Sequence, residues 1–237
     1  MSEALIEIAG LSVGYGDEPV VRELDLSIAP GSITTVIGAN GAGKSTLLRG
    51  LYGTIRRFAG TIRFAGEEIQ RLEPVERLAR GLSFVPQGRC NFQKMSVREN
   101  LELGAYTLPK AEMRPAIERV VAAFPLLREK WSVLAGNMSG GEQQILEMAI
   151  ALLLRPEAIL LDEPSLGLSP KMLAHVFATV RQIRADGVTV VMVEQNARAA
   201  LLISDVAVVM ELGRKAFEGA ARAVLDDPRI KAAYLGG

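Results

Sequence analysis

A glycine-rich segment ending in lysine and serine constrains the fold of this chain more than any other feature. The segment, residues 38–45, reads GANGAGKS and matches the pattern G-x-x-x-x-G-K-[ST]. The run before it, residues 32–37, is rich in β-branched side chains and is typical of a buried strand. Residues 44–51 read as a helix. This strand–loop–helix order predicts a loop that binds phosphate, and a chance glycine turn at a helix start is the alternative.

The loop has the chemistry that a nucleoside triphosphate requires. Gly41 and Gly43 remove side chains, so backbone N–H groups can surround the phosphate oxygens. The N-terminus of the following helix is directed at the same negative charge. Lys44 can reach the β- and γ-phosphates, and Ser45 can ligate Mg²⁺ through its hydroxyl. The predicted nucleotide-binding residues here are Gly38, Ala39, Asn40, Gly41, Ala42, Gly43, Lys44, Ser45 and Thr46.

Two adjacent carboxylates follow an apolar run at residues 158–161. Because neighbouring side chains of a strand point to opposite faces, Asp162 and Glu163 are expected to have different tasks. We expect Asp162 to hold Mg²⁺, directly or through water, and Glu163 to act catalytically by polarising the attacking water. The alternative is a helix N-cap and a solvent-facing charge before Pro164.

A second pair of glycines opens a helical pattern at residues 138–144, MSGGEQQ. Ser139 and Glu142 have the spacing of a capping box. Gly140 and Gly141 leave backbone N–H groups open to an anion. One nucleotide does not need two such sites in one chain. The simplest interpretation is therefore that Ser139, Gly140, Gly141 and Glu142 contact a nucleotide bound by another subunit.

The arrangement of apolar runs predicts a single α/β domain of 237 residues. Continuous apolar strands alternate with helices in the C-terminal third, which predicts a parallel sheet covered on both faces. Residues 89–154 have helical periodicity and little strand character. We therefore predict a catalytic core from residues 1–88 and 155–237, with a helical subdomain at about 89–154. Four strand-like runs in the N-terminal part lie at residues 5–13, 20–28, 60–66 and 82–85.

Composition and charge exclude several classes of function. The chain has 27 basic and 27 acidic residues, and zero net charge argues against a nucleic acid or an anionic membrane held by bulk charge. No apolar run approaches the roughly 18–20 residues that span a bilayer. The N-terminus lacks the basic region of a secretory signal, so we expect a cytosolic location. A single cysteine, Cys90, excludes a disulfide within the chain.

The order of these motifs resembles that of ATP-binding subunits of ABC transporters. A phosphate loop is followed by Gln87 after a strand, then by the S-G-G-E segment and the I-L-L-D-E-P segment. More narrowly, the whole chain resembles the LivF-type subunits of branched-chain amino-acid importers. The segments that carry this likeness are VPQGR at 85–89, MSGGEQQ at 138–144, EPSLGLSP at 163–170, VEQN at 193–196 and AYLGG at 233–237.

The resemblance implies roles for further residues. Tyr15 corresponds to the aromatic residue that stacks on adenine, with a turn tyrosine as the alternative. Gln87 corresponds to the glutamine that touches Mg²⁺ or the attacking water, and the loop at residues 89–95 is expected near a membrane subunit. Two positions depart from the broad family pattern, Ser169 in place of aspartate and Gln195 in place of histidine. Gln195 can donate through its amide but cannot carry a charge, and the alternative is that it caps the next helix.

The resemblance also implies a fold, an activity and an assembly. The fold is a P-loop NTPase (RecA-like) parallel core with an antiparallel N-terminal β region and a helical subdomain. The activity is hydrolysis of ATP with Mg²⁺, and two nucleotides are sandwiched between two ATPase subunits. The second subunit is either another copy or a sibling of LivG type. The pair is expected at the cytoplasmic face of the inner membrane on two permease subunits, which a substrate-binding protein serves, with no nucleic acid involved.

Two alternatives to amino-acid import stay open at this point. Within transporters, the same ATPase could serve urea or amide uptake, or lipopolysaccharide export. The second alternative is a soluble, non-transport ABC ATPase that acts in DNA repair, translation or cofactor assembly. Such proteins tend to have two fused ATPase domains, long coiled-coil insertions or basic surfaces, and this chain has one domain and zero net charge.

Overall fold

The computed structural model describes residues 4–88 and 90–235. No helix in this part is long and apolar enough to cross a membrane. The strands are β1 (Ile6–Gly14), β2 (Val21–Ile28), β3 (Ile33–Gly38), β4 (Arg56–Phe64), β5 (Glu67–Glu68), β6 (Leu82–Val85), β7 (Ala158–Asp162), β8 (Thr189–Val193), β9 (Val206–Glu211) and β10 (Arg214–Ala220). The helices are α1 (Lys44–Tyr52), α2 (Pro74–Ala79), α3 (Val97–Gly104), α4 (Lys110–Ala123), α5 (Pro125–Glu129), α6 (Gly140–Ala151), α7 (Pro170–Ala185), α8 (Ala197–Leu201), α9 (Ala221–Asp226) and α10 (Pro228–Ile230), with short helical turns at Ala135–Asn137 and Lys231–Leu235.

The larger sheet has the strand order β10-β9-β3-β8-β7-β6. The parallel strands are β9, β3, β8, β7 and β6, and β10 pairs antiparallel with β9. Every side chain of β7 and β8 is buried, as expected for parallel strands covered on both faces. The predicted parallel core is therefore confirmed. The strand β10 was not predicted, because its sequence RKAFEGA is mostly exposed and lacks a continuous apolar run.

The smaller sheet is antiparallel and has the order β2-β1-β4-β5. It confirms the predicted antiparallel region near the N-terminus. Strand β4 begins at Arg56, four residues before the predicted start, because Arg56 pairs with Gly14 of β1. The strand begins with two exposed arginines. Charged side chains interrupt the apolar pattern by which a strand is predicted from hydropathy.

Helices α3 to α6 fill the stretch between β6 and β7. Their buried side chains, such as Leu101 and Leu146, belong to one apolar cluster with Leu161 and Met192 of the sheet. The opposite face of the sheet packs against α1 and the smaller sheet in a second cluster. The helices thus cover one face of the parallel sheet. The division into a core and a helical subdomain stays a prediction.

The carboxyl ends of the parallel strands bring distant segments to one edge. The loop at residues 39–43 follows β3, Gln87 follows β6 by two residues, Glu163 follows β7 and Gln195 follows β8 by two residues. In open α/β sheets, ligands bind at this edge. The topology therefore assembles four of the sequence motifs, although more than 100 residues separate the first from the last.

Candidate active site

The glycine-rich loop has a backbone that only glycine adopts readily. Gly41 has φ 81° and Gly43 has φ 96°, both in the left-handed region. Gly43 is the N-cap of α1, and no side chain caps this helix. The N–H groups of its first turn therefore face the loop with their partial positive charge uncompensated. This is the arrangement that binds an anion such as a phosphate group.

Lys44 lies over the same loop. Its side chain is buried, and its Nζ donates to the carbonyl oxygens of Gly38 at 2.9 Å and Ala39 at 3.1 Å. These two carbonyls hold the ammonium group beside the N-terminus of α1. The loop thus combines a point charge with a row of backbone donors, which are the two kinds of group that phosphate binds.

A buried hydroxyl–carboxylate pair lies next to the loop. Ser45 Oγ donates to Asp162 Oδ1 at 2.7 Å, across 117 residues of sequence. Asp162 is 2% exposed, and within the described residues its Oδ2 has no partner that meets hydrogen-bond geometry. Burial raises the pKa of Asp162, and the Ser45 hydrogen bond and the charge of Arg49 oppose that rise. A second oxygen without a well-formed hydrogen bond is an available ligand for a hard cation.

Glu163 and Asp162 have different hydrogen-bond partners, as expected, but strand alternation is not the reason. The strand ends at Asp162, and Glu163 has φ 50°, so the chain turns there and strand alternation no longer applies. The backbone N–H of Glu163 donates to Val193 O at 2.9 Å, and its Oε2 accepts from Gln87 Nε2 at 3.0 Å. Burial raises the pKa of Glu163, and the charge of Lys44 opposes that rise. Such a left-handed, hydrogen-bonded residue is typical of functional sites.

A cavity of ≈ 410 Å³ joins these groups. Gln195 lines it together with Glu163, and Tyr15 is not among the lining residues. Tyr15 lies after β1 and is 57% exposed. The lining residues are Val20, Asn40, Gly41, Gly43, Lys44, Ser45, Thr46, Gln87, Glu163, Leu166 and Gln195.

The alternative role of Gln195 as a helix cap does not agree with the structure. The N-cap of α8 is Asn196, whose side-chain oxygen accepts from the N–H of Ala199 at 3.3 Å. Gln195 therefore has no capping task, and its side chain borders the cavity. A role for it in ATP turnover stays a prediction.

The second glycine pair lies apart from this cavity. Ser139 and Glu142 form the predicted capping box at the start of α6, with Ser139 N donating to Glu142 Oε2 at 2.8 Å. Lys130 also pairs with Glu142 at 3.0 Å. None of residues 139–142 lines the cavity that holds Lys44. The phosphate loop and the start of α6 are therefore separate features of one chain.

Gly141 has a packing reason to be glycine. A Cβ at this position would lie 2.6 Å from the Cε and 2.8 Å from the Cβ of Met172 on α7. Any larger residue would push α6 and α7 apart. Glycine here is therefore explained by helix packing, and a substitution at Gly141 would test folding rather than nucleotide contact. Ser139, which is exposed at the helix start, is the better position for such a test.

The sequence did not predict a role for one buried carboxyl group, that of Glu194. Glu194 follows β8 and is 1% exposed, and it binds Ser165, two residues after Glu163. Its position mirrors that of Glu163, since both follow an apolar parallel strand. Asp162 and Glu163 were predicted to be functional because they follow an apolar strand. Glu194 has the same sequence pattern.

Comparisons with known proteins agree with this geometry. The family model described as ABC transporter matches residues 21–166. The high-affinity branched-chain amino acid transport ATP-binding protein BraG of Pseudomonas aeruginosa is 41% identical over 96% of this chain and 97% of BraG. A probable branched-chain amino acid transport ATP-binding protein, LivF of Archaeoglobus fulgidus, is 37% identical over 98% and 99%. The crystal structure of an ATP-binding cassette in its ADP conformation has a TM-score of 0.87 and 26% identity over the full length of both chains.

Proposed function

We propose that this chain, which belongs to the ABC-transporter family of ATP-binding subunits, hydrolyses ATP to drive import of branched-chain amino acids through a permease. The observation that carries the proposal is the meeting of three groups at one cavity. These groups are the phosphate loop with Lys44, the hydroxyl of Ser45 that reaches Asp162, and the Gln87–Glu163 pair. The two full-length relatives named for branched-chain amino acid transport support the substrate class.

The metal site in this proposal uses oxygen ligands. Mg²⁺ prefers hard oxygen atoms, and Ser45 Oγ, Asp162 and the side-chain carbonyl of Gln87 supply them. The unpartnered, buried Oδ2 of Asp162 fits this use, because an additional cation would satisfy it. When bound, Mg²⁺ would neutralise charge on the β- and γ-phosphate oxygens.

The remaining steps of hydrolysis belong to side chains of the cavity. Catalysis of phosphoryl transfer depends mainly on positioning and charge stabilisation. The loop N–H groups and Lys44 hold the phosphates, and Glu163 orients the attacking water. Burial raises the pKa of Glu163, which makes its carboxylate a better proton acceptor. Gln87 donates to Glu163 at 3.0 Å and so fixes the direction of that carboxylate.

Tyr15 completes the nucleotide site in this proposal. It is 57% exposed on the loop after β1, and Val20 from the end of the same loop lines the cavity. An exposed aromatic ring on a loop whose other end lines the cavity suits stacking on adenine. The adenine of bound ATP would then cover the ring of Tyr15, which is largely exposed to solvent in the protein alone.

Gln195 is proposed to hold a phosphate oxygen or a water through its amide. We expect Gln195→Ala to lower turnover about three- to tenfold, the order of effect for one lost neutral hydrogen bond. The pH profile should keep its shape, because an amide does not titrate near neutrality. Steady-state ATPase rates between pH 6 and 9 test this, with the exposed Gln182→Ala as a control. A defect as deep as that of Glu163→Gln would contradict the ranking of the two residues.

The separation of the phosphate loop from the start of α6 supports a second ATPase subunit. Ser139 and Gly140 do not border the cavity of their own chain. We propose that they contact the nucleotide of a partner ATPase, either a second copy of this chain or a sibling of LivG type. Mass measurement of the purified chain with ATP separates these cases. A dimer of this chain alone supports the copy, and dimerisation only after a sibling is added supports the heterodimer.

A charge placed at Ser139 tests this contact. Ser139→Asp keeps a good N-cap and adds a negative charge where the partner's phosphate would lie. We expect ATP affinity of the monomer to stay unchanged, and dimerisation and turnover to fall at least tenfold. Ser96→Asp is a matched control, because Ser96 is the N-cap of α3 in an equivalent capping box with Glu99. Loss of affinity in a monomeric sample would instead place Ser139 at its own chain's nucleotide.

We propose the surface beside the loop at residues 89–95 as the permease contact. A groove of ≈ 220 Å³ lies there between β6 and helices α3 and α6. Its lining is mostly apolar and includes Tyr52, Phe84 and Ile150, with Cys90 of the loop at its border. Arg89 of this loop lies outside the described residues. An apolar groove suits a short segment of a membrane protein, which would hold the ATPase at the cytoplasmic face.

The transported substrate needs a test in cells. Uptake of labelled leucine, urea and short amides in a deletion strain distinguishes amino-acid import from urea or amide import. Loss of leucine uptake alone is the expected result. Pull-down of the chain from detergent-solubilised membranes separates transporters from other ABC ATPases, because only a transport subunit should bring down polytopic membrane proteins.

A further inference from the structure

A buried carboxyl group links the two loops that carry Glu163 and Gln195. Glu194 Oε1 accepts from the backbone N–H of Ser165 at 3.0 Å, and Glu194 Oε2 accepts from Ser165 Oγ at 2.7 Å. Both residues are buried. One carboxylate thus binds one residue through two parallel hydrogen bonds, which fixes both distance and direction.

The position of this link ties it to the proposed catalytic carboxylate. Asp162 and Val193 are partners in the parallel sheet, so Glu163 and Glu194 leave neighbouring strands side by side. Ser165 belongs to a turn in which Leu166 N donates to Glu163 O at 3.1 Å. Glu163, whose φ is 50°, is thus bound through its carbonyl to this turn and through its N–H to Val193 of β8. On the other loop, Gln195 directly follows Glu194 and borders the cavity.

We propose that Glu194 is a positioning residue for ATP turnover, whose carboxylate fastens Ser165 and so holds Glu163 and Gln195 at fixed places beside the phosphate loop. The inference rests on the proposed role of Glu163. Glu194 itself does not border the cavity that contains Lys44, so it acts through its neighbours. The hydrogen bonds to Ser165 are strongest when the carboxyl group is ionised, because a carboxylate is a better acceptor than a carboxylic acid.

The burial of Glu194 gives this link a dependence on pH. Burial raises the pKa of Glu194 from its usual 4.5 to about 7, against the hydrogen bonds from Ser165 and from the backbone of Asn196. Among the described residues, the charge of Glu163 is the one that adds to this rise. Because the folded-state pKa is raised, the contribution of Glu194 to the free energy of unfolding is fully present below pH 4.5 and is lost as pH rises through about 7. Above pH 7, where Glu194 is ionised and binds Ser165 most strongly, the buried charge lowers the stability of the fold.

Opposite changes in rate and stability distinguish a positioning role from a structural one. We expect Glu194→Gln at pH 8 to lower kcat about tenfold, to leave the KM for ATP within about twofold and to raise the Tm by a few degrees. At pH 6, where most wild-type Glu194 is protonated, the rate difference should narrow to about twofold. Glu157→Gln, at the exposed opposite end of β7, makes the same chemical change as a control. It should match the wild type.

A second variant keeps the test decisive if Glu194→Gln folds poorly. Ser165→Ala removes one hydrogen bond that lowers the pKa of Glu194. We expect its low-pH loss of activity to shift to higher pH. Wild-type kcat and pH profile in both variants would overturn the proposal. If Glu194→Gln has a lower Tm, an unshifted pH profile in Ser165→Ala would overturn it. Glu163→Gln measured in parallel separates the two claims: normal turnover there refutes the role of Glu163, whereas normal turnover in Glu194→Gln alone refutes only the link.

Discussion

Glu163→Gln is expected to leave ATP binding intact and to lower turnover about 10³-fold, within the range for loss of a positioned general base. The amide keeps the size of the side chain, and its carbonyl oxygen can still accept from Gln87, which donates to Glu163 at 3.0 Å. It cannot accept the proton of the attacking water. Because the proposed contacts of Ser139 and Gly140 with the partner's nucleotide do not involve Glu163, the variant is also expected to accumulate as an ATP-bound dimer.

Single-turnover hydrolysis, ATP binding by calorimetry and mass measurement with ATP together check this expectation. Glu157→Gln is the matched control, because it changes an exposed carboxylate at the start of the strand that Glu163 follows. ATPase activity near that of the wild type in Glu163→Gln would falsify its assignment as the residue that orients water. Normal activity in the control and loss in the variant would locate the effect at the carboxyl end of β7.

Lys44→Ala should weaken ATP binding itself by about 10- to 100-fold, the order expected for one lost charge-assisted hydrogen bond. The variant removes the cation that the carbonyls of Gly38 and Ala39 hold beside the loop. The N–H groups of the loop would remain, so we expect weakened binding and not its complete loss. Turnover should fall at least as far, because the same cation stabilises charge on the γ-phosphate in the transition state.

Calorimetric titration of ATP into the two proteins measures this change directly. Lys110→Ala, at the exposed start of α4, controls for loss of a positive charge elsewhere. A thermal melt without nucleotide belongs to the test, since Lys44 is buried and its removal could alter the fold. Unchanged ATP affinity in a folded Lys44→Ala protein would refute the role of Lys44.

Local motifs predicted most of the elements that carry the site. Strand β6 has the predicted bounds, and β3 and β7 lie within one residue of theirs at each end. Apolar, β-branched runs indicate buried strands because both faces of a parallel strand are covered. The sequence did not predict the edge strand β10 or the first residues of β4, because their side chains are mostly exposed and form no apolar run.

By itself, the sequence determined the phosphate loop, the buried strand that ends at Asp162 and the capping box of Ser139, since each depends on residues close together in the chain. Only the tertiary structure decided that Ser45 binds Asp162, that Gln87 binds Glu163 and that Glu194 binds Ser165. These pairs lie 29 to 117 residues apart. Their contacts depend on the order and register of parallel strands, which no local pattern specifies. The turn at Glu163 likewise needed the structure, because its left-handed backbone is held by contacts with β8 and not by its own residue type.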